Sequence, residues 1–398
     1  MSEQDQLHLA VALDGAGWHP ASWRSPTARP RDLLTAGYWT DVVREAERGL
    51  LDFVTIEDGF AVTDDHHAGE SNRTDRVVGR LDAQLIASRI GPVTKWIGLI
   101  PTVVAPLTEP FHTSKAVATL DYVSGGRAGV RVRTSASPAE FGNIGRREAP
   151  VLGTGGVIPD GPLVEEAFAE VGDYVEVLRR LWDSWEDDAE IRDVATGRFV
   201  DRNKLHYIDF EGSHFSVRGP SITPRPPQGQ PLVTLLVHQP SGHRLLARSA
   251  DIGIITPSDG YDVRSTVASI RTATVDADRD PESLKLLADL VVLLDTDARA
   301  AADRKDQLDT WYGAEFPSDA SIFVGTPDEL TQLIEVWRAA GVDGIRLRPA
   351  TIPHDLLQIT EQLVPLLQRT GAFRTRYAAD TLRGHFELPR PANRYAIA

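Results

Sequence analysis

The sequence has no cysteine among its 398 residues. Disulfide bonds, thiolate nucleophiles and cysteine-ligated zinc are therefore excluded. It also has no GxSxG or HExxH motif, so it offers no recognisable serine nucleophile or zincin site. The chemistry of this protein has to rest on hydroxyl, imidazole, carboxylate and guanidinium groups, or on a bound cofactor.

Positive charge is scarce, with 42 Lys and Arg residues against 57 Asp and Glu residues and a net charge of −15. Because nucleic acids and anionic membranes need a clustered positive surface, we expect neither as a partner. No stretch approaches the roughly 18 to 20 apolar residues of a membrane span. The N-terminal sequence MSEQDQLHLAVALDG has no basic targeting region, so we expect a cytoplasmic protein.

Apolar runs of strand length alternate with longer segments of helical period along the chain. This alternation predicts a (β/α)₈ TIM barrel, with residues 1–398 as a single domain. The eight strand-like runs are Leu7 to Leu13, Asp52 to Ile56, Trp96 to Val104, Ala128 to Val132, Leu232 to Val237, Asp251 to Ile255, Leu286 to Leu294 and Val342 to Leu347.

Several local signals refine this architecture. Thr326, Pro327 and Glu329 have the order of a helix capping box with proline at the first helical position. Pro365 predicts a break or kink in the last helix. Two segments are longer than the short loops of a minimal barrel and are predicted insertions, at about residues 133–162 and 186–230. The C-terminal residues 371–398 are predicted to form an extended tail on the barrel.

In barrels the chemistry lies where the strands end, so the residues at and after each C-terminal strand end are the candidates. They are Asp14, Trp18, His19, Glu57, Asp58, Thr102, Arg131, Arg133, Thr134, His238, Thr256, Ser258, Asp295, Arg346 and Arg348.

A metal-hydrolase site is one alternative, since histidines and carboxylates occur among these candidates. Such a site would require several of these side chains to converge, namely His19, His66, His67 and His238 with Glu57 and Asp58. However, His66 and His67 are adjacent in one polar loop, whereas barrel metal ligands come from separate strand ends. We therefore predict no metal site.

The segment from Thr108 to Ser135, TEPFHTSKAVATLDYVSGGRAGVRVRTS, resembles the third and fourth units of the bacterial luciferase-like flavin monooxygenases. The resemblance is closest to the branch that contains nitrilotriacetate and dibenzothiophene-sulfone monooxygenases. It extends along nearly the whole chain through GWHPASWR, LDFVTIEDG, LRRLWDSWE, FEGSHFSVRGP, PRPPQGQP, PSGHRLLARSAD, VPLLQRTGAFRTRY and TLRGHFEL.

The resemblance implies a (β/α)₈ barrel and a two-component enzyme. A separate flavin reductase would supply reduced FMN, and one oxygen atom from O₂ would be inserted into a small organic substrate. Asp58 and Thr102 match flavin-site positions of the family, and Trp18 and His19 match a loop beside the substrate. The family also implies a homodimer or homotetramer.

Three flavin contacts of the family are changed together in this chain. At the fourth strand the family has GWNVVTS, whereas this chain has GVRVRTS, which places Arg131 where the flavin-contacting Asn is expected. Val164 and Phe168 replace the His and Tyr that hold the FMN phosphate. Gln239 stands where a phosphate-binding Ser is expected.

Other groups near the same mouth offer compensation. Arg131 and His238 supply positive or donor groups, and Ser241 and Gly242 begin a helix whose N-terminus attracts anions. His19 and Arg131 are the candidate catalytic residues, although His19 is equally consistent with a packed loop histidine.

Besides a related barrel enzyme with another cofactor, such as a deazaflavin or a metal, the main alternative to the flavin enzyme is a catalytically silent or ligand-binding barrel without flavin. In that case Arg131 would form a salt bridge with Glu57 or Asp58.

Overall fold

The computed structural model describes residues 6–62, 73–150, 161–258 and 262–396. His66 and His67 lie outside the described residues, so the metal hypothesis that uses them is not tested by the structure. The same holds for residues 151–160 of the first predicted insertion.

Eight parallel strands form a closed barrel, which confirms the predicted fold. In chain order they are β1 His8–Leu13, β2 Phe53–Ile56, β3 Gly98–Val104, β4 Gly129–Arg133, β5 Leu232–Val237, β6 Ile252–Ile255, β7 Lys285–Leu294 and β8 Gly344–Pro349. Each strand pairs with the next one in the chain, and β8 pairs with β1 to close the ring. Parallel strands are buried on both faces, which explains why the sequence shows them as nearly continuous apolar runs.

Helices surround the barrel and connect its strands. They are α1 Ala36–Arg48, α2 Ala83–Ile90, α3 Pro110–Ser124, α4 Pro138–Ile144, α5 Pro162–Asp183, α6 Ser241–Ser249, α7 Val263–Asp276, α8 Ala298–Tyr312, α9 Pro327–Ala339, α10 His354–Gln358, α11 Val364–Arg369 and α12 Leu382–His385.

The predicted helix signals are found in the structure. Thr326 caps α9 through the amide of Glu329, and the Glu329 carboxylate returns a bond to the Thr326 amide, so the capping box is complete. Before Pro365, the continuous helix formed by α10 and α11 widens into a π-helical turn at Ile359–Leu363. The wider turn is the predicted irregularity of this helix, since proline cannot donate a backbone hydrogen bond.

The second insertion, about residues 186–230, contains two small antiparallel hairpins. Glu190–Asp193 pairs with Arg198–Val200, and Phe210–Glu211 pairs with Ser216–Val217. One strand was not predicted: Ile322–Gly325 pairs in parallel with the C-terminal half of β7, outside the closed ring. This strand is short and only partly buried, so it lacks the apolar run that identified the other eight.

Side chains facing the barrel interior change from apolar to polar along the strands. Alternate residues of a strand share a face, and on β2 this face carries Phe53, then Thr55, with Glu57 just beyond the strand. On β5 it carries Leu232 and then Thr234. The lower half of the interior is therefore hydrocarbon, and the upper half is a polar mouth.

The C-terminal tail closes the lower end of the barrel. Leu382, Phe386 and Leu388 join the apolar side chains of the lower interior in one buried cluster, and the Phe386 ring stacks 4.2 Å from His8. The prediction of an extended tail is correct in part, because the tail includes the short helix α12 and inserts side chains below the barrel. A plug here keeps water out of the interior from the side opposite the mouth.

Candidate active site

The polar mouth collects side chains from six of the eight strands. Parallel strands bring their C-terminal ends to the same rim of the barrel, as the sequence analysis required. The side chains that meet there are Thr55, Glu57, Thr102, Arg131, Thr234, Asp289, Arg346 and Arg348, all buried or nearly so.

Arg131 forms an ion pair with Glu57 in this mouth. Its Nη1 lies 2.6 Å from Glu57 Oε2 and 3.2 Å from the Thr102 hydroxyl. Burial lowers the pKa of Arg131 to about 10, although Glu57 acts in the opposite direction. Burial also tends to raise the pKa of Glu57, but Arg131 and the neighbouring arginines outweigh it, so this pKa ends below its usual value. Of the two salt-bridge partners considered for Arg131, the structure shows Glu57.

The ion pairs continue from Glu57 to the eighth strand. Arg346 Nη1 lies 3.5 Å from Glu57 Oε1 and donates to the Thr55 hydroxyl at 3.0 Å. Its Nε and Nη2 donate to the two oxygens of Asp289 at 2.9 and 2.7 Å. Asp289 is therefore the centre of the network, and it also accepts a 2.7 Å bond from Arg348 Nε.

Arg348 ends the chain of charges near the rim. It pairs with both oxygens of Asp319, with Nη2 3.1 Å from Oδ2. His238 Nε2 lies 3.5 Å from the same oxygen, and its Nδ1 lies 2.8 Å from the Thr256 hydroxyl. Burial lowers the pKa of His238 despite the nearby Asp319. The Trp18 ring covers the Arg348 guanidinium at 4.3 Å from its centroid.

Asp58, a predicted flavin contact, caps backbone groups beside the mouth. One carboxylate oxygen accepts from the Gly59 amide at 2.8 Å and the other from the Ala83 amide at the start of α2 at 2.9 Å. Burial raises the pKa of Asp58. Both oxygens already have protein donors, which favours a positioning role, and its flavin contact stays a prediction.

His19 is fully buried in the loop that follows β1. Its Nε2 is 3.1 Å from an oxygen of Asp309 in α8, and its Nδ1 accepts from the Ala21 amide at 3.1 Å. Burial lowers the pKa of His19, while Asp309 opposes the shift. Its ring also packs 4.9 Å from Phe316. This geometry favours the packed loop histidine, and a catalytic role for His19 stays a prediction.

The predicted phosphate region has little polar character on α5. Val164 is buried and Phe168 packs against the core. Ser241 and Gly242 begin α6 as predicted. At Gly242 a Cβ atom would lie 2.6 Å from Val237 Cγ1, so the glycine is needed for α6 to pack on β5 whether or not a ligand binds there.

A family model described as luciferase-like monooxygenase matches residues 18–344. The chain belongs to this family. The relationship extends over full proteins: the N-acetyl-S-(2-succino)cysteine monooxygenase of Bacillus subtilis (strain 168) is 29% identical, with 99% of each chain covered. Component A of nitrilotriacetate monooxygenase from Aminobacter aminovorans is 28% identical, with 100% of this chain and 99% of that protein covered.

Solved structures agree on the fold. EDTA monooxygenase from Chelativorans sp. BNC1 superposes with a TM-score of 0.81 at 23% identity, covering 97% of this chain and 99% of that one. Riboflavin lyase, solved with modified FMN and its substrate riboflavin, gives a TM-score of 0.82 at 22% identity, covering 96% and 95%. These findings confirm the predicted luciferase-like family and barrel, and the monooxygenase names of the relatives agree with the predicted oxidoreductase class.

The mouth of this luciferase-like barrel fits the ring of a flavin better than its phosphate. Arg131 Nε and the Thr234 hydroxyl are buried and have no hydrogen-bond partner among the described residues. They stand on adjacent strands at paired positions. Since buried donors normally have acceptors, a ring with carbonyl and nitrogen acceptors suits them. Val164 and Phe168 have no polar side-chain group for a phosphate, and their correspondence to the phosphate-binding residues of the family stays a prediction.

Two carboxylates of the network, Asp289 and Asp319, were not predicted as site residues. Asp289 had a usable signal, because it is a lone charge inside the apolar run LLADLVVLL, and a buried strand tolerates a charge only with a partner. Asp319 had none, since it is one of many acidic residues in loops.

Among the residues that the structure describes, no three His, Asp or Glu side chains are grouped so that they could hold a metal ion. None of the helices in the described ranges is both long and apolar enough to cross a membrane.

Proposed function

We propose that this protein is a monooxygenase that uses reduced FMN and O₂ at the polar mouth of its barrel to oxygenate a small organic substrate. The observation that carries the proposal is a pair of buried polar groups, Arg131 Nε and the Thr234 hydroxyl, at the end of the barrel where enzymes of this fold act. Neither has a hydrogen-bond partner within the described part of the chain. Membership of the luciferase-like monooxygenases supports the class of reaction.

The described residues would each have a defined task at the mouth. Arg131 Nε and Thr234 would hydrogen-bond the flavin ring, and Thr102 fixes the Arg131 guanidinium from the side. Glu57 holds Arg131 in place and balances its charge. When bound, reduced FMN supplies the activation of O₂. The apolar plug below and the buried ion pairs around the ring keep water from the reacting atoms.

A separate reductase would supply the reduced flavin as a transient partner. The similar nitrilotriacetate monooxygenase protein is named component A of its enzyme, which supports a two-component system. We also propose a homodimer or homotetramer, as the family resemblance implies.

The test is an oxygen-labelling assay. The protein is incubated with a flavin reductase, NADH, FMN and ¹⁸O₂ in the presence of small thioethers, amines and carboxylic acids, and products are analysed by mass spectrometry. We expect a product that carries one ¹⁸O atom and that forms only when both FMN and the protein are present. The proposal fails if no labelled product forms, H₂O₂ production equals that of the reductase alone, and FMN leaves the unfolding temperature of the protein unchanged.

The Arg131–Glu57 pair favours a second candidate, a ligand-binding barrel without flavin. A guanidinium in a 2.6 Å ion pair occupies space at the centre of the mouth. For this candidate we expect the wild-type protein to ignore flavin and the Arg131→Asn variant to gain flavin affinity, since asparagine is shorter and uncharged.

A further inference from the structure

We propose that Arg348 and His238 form a binding site for a carboxylate group of the substrate, and that Asp319 of this chain fills that site as an internal substitute. The inference deepens the proposed function and rests on it, because it names the chemical class of the substrate.

The contacts at Asp319 have the geometry of carboxylate recognition. Its two oxygens face the two terminal nitrogens of Arg348, an arrangement in which a planar guanidinium binds a carboxylate with two parallel bonds. His238 Nε2 approaches one of these oxygens at 3.5 Å from a different strand end. The ring of Trp18 holds the guanidinium plane from its open side.

The two members of this pair differ strongly in exposure. The Arg348 side chain is 1% exposed, whereas the Asp319 side chain is 49% exposed. The cation is therefore a fixed part of the barrel, and the anion reaches it from the solvent side. A ligand carboxylate that arrives through the mouth meets the same two nitrogens once Asp319 moves aside.

The charge balance of the buried network favours such a replacement. Without Asp319, the network holds three arginines, Arg131, Arg346 and Arg348, but only two carboxylates, Glu57 and Asp289. One positive charge then lacks a counterion in a region where unpaired charge is strongly unfavourable. A second carboxylate is needed at Arg348, and either Asp319 or the substrate can supply it.

His238 supplies a donor without adding to this positive charge. Burial and the nearby arginines lower its pKa, which favours the neutral ring. With the Thr256 hydroxyl next to Nδ1 at 2.8 Å, a proton on Nε2 faces the carboxylate oxygen. The donor Arg131 Nε is buried and has no acceptor in the described ranges, which is a second sign that this mouth is built for an acceptor-rich ligand.

The segment that carries Asp319 is held on both sides by hydrogen bonds that do not involve Asp319 itself. On one side the Phe316 amide donates to Asp309 at 2.9 Å, and on the other the Ser321 hydroxyl donates to the Pro257 carbonyl. Between these anchors Asp319 contacts the barrel through Arg348 and His238. His19 is a positioning residue for this segment, because it binds Asp309 and packs against Phe316.

The test compares the Asp319→Asn variant with a matched control. Asp187 is suited to the control, since it is 51% exposed and pairs through both oxygens with Arg225, which is 2% exposed. Succinate is the probe, and its neutral diamide, succinamide, controls for shape. Binding is measured by isothermal titration calorimetry at constant ionic strength, without flavin.

We expect Asp319→Asn to bind succinate at least about tenfold more tightly than the wild type, since the internal competitor has lost its charge. Asp187→Asn is expected to match the wild type, and succinamide to bind none of the three. Asp319→Glu keeps the charge and is expected to bind as weakly as the wild type. The proposal is overturned if Asp319→Asn binds no more tightly than wild type, or if Asp187→Asn gains the same affinity. Because no flavin is present, this result is independent of whether the protein binds FMN.

Discussion

The Arg131–Glu57 pair gives the sharpest prediction about the energetics of the mouth. If Glu57 is replaced by Gln, the amide oxygen can still accept one hydrogen bond from Arg131, but both this group and the Thr102 hydroxyl at 3.2 Å are uncharged. A buried guanidinium is then left without its counterion. We expect this single change to lower the free energy of unfolding by about 3–5 kcal/mol, the usual cost of removing one partner of a buried pair.

The double replacement Arg131→Met with Glu57→Leu is expected to behave differently. Even with Glu57 present, burial lowers the pKa of Arg131 to about 10, well below its usual range. Holding this charge in the barrel is therefore unfavourable for the folded state at pH 7. Removing both charges relieves this cost, while Arg346 keeps its two bonds to Asp289. We therefore expect the double variant to be as stable as the wild type or up to about 4 kcal/mol more stable.

Urea unfolding at 25 °C and pH 7 measures both variants against the wild type. If the double variant is less stable than the wild type by more than about 1 kcal/mol, the pair contributes net stability and the reasoning is refuted. If the prediction holds, the pair is costly to the fold, and its presence is explained by the ligand of the mouth.

Three further predictions concern other parts of the chain. Burial raises the pKa of Asp121 to about 6, so the folded state keeps a proton that the unfolded state loses above about pH 4. The free energy of unfolding should therefore fall by about 3 kcal/mol as the pH rises from about 4 to 6. In urea unfolding, the Asp121→Asn variant should lack this fall, and the same pH dependence in variant and wild type would contradict the prediction. The double variant Val164→His with Phe168→Tyr should bind reduced FMN at least about tenfold more tightly than the wild type does, as measured by anaerobic titration. Its affinity for reduced riboflavin, which has no phosphate, should equal that of the wild type, because the added donors reach only a phosphate. Phe386→Ala should lower the free energy of unfolding by about 3–5 kcal/mol, whereas Val194→Ala, at an exposed position, should lower it by less than about 0.5 kcal/mol. Similar losses for both variants would show that Phe386 does not seal the lower end of the barrel.

Much of the fold was predictable from the sequence because its signals are local. Each barrel strand is an apolar run, and the cap at Thr326 needs only its own neighbours in the chain. The unpredicted parts depend on distant contacts. The strand at Ile322–Gly325 is defined by its pairing with β7, and Phe386 becomes a plug residue only when the tail reaches the underside of the barrel.

In the candidate site, too, some features follow from the sequence and others depend on distant contacts. That Arg131 and Glu57 lie at the same rim follows from the barrel alone, because both end strands. The pairing of Asp319 with Arg348 does not follow, since it joins a loop to a strand end across a gap that only the folded chain defines. For His19, the family pattern placed it beside the substrate, whereas its two hydrogen bonds are visible only in three dimensions.

The proposed flavin site is tested most directly by anaerobic equilibrium titration of the wild-type protein with photoreduced FMN. We predict saturable binding of one FMN per chain, with a dissociation constant of about 1–100 μM. Absence of saturation up to about 1 mM in the wild type, together with saturation in the Arg131→Asn variant, would contradict it and identify a barrel whose mouth is closed to flavin by its own ion pair.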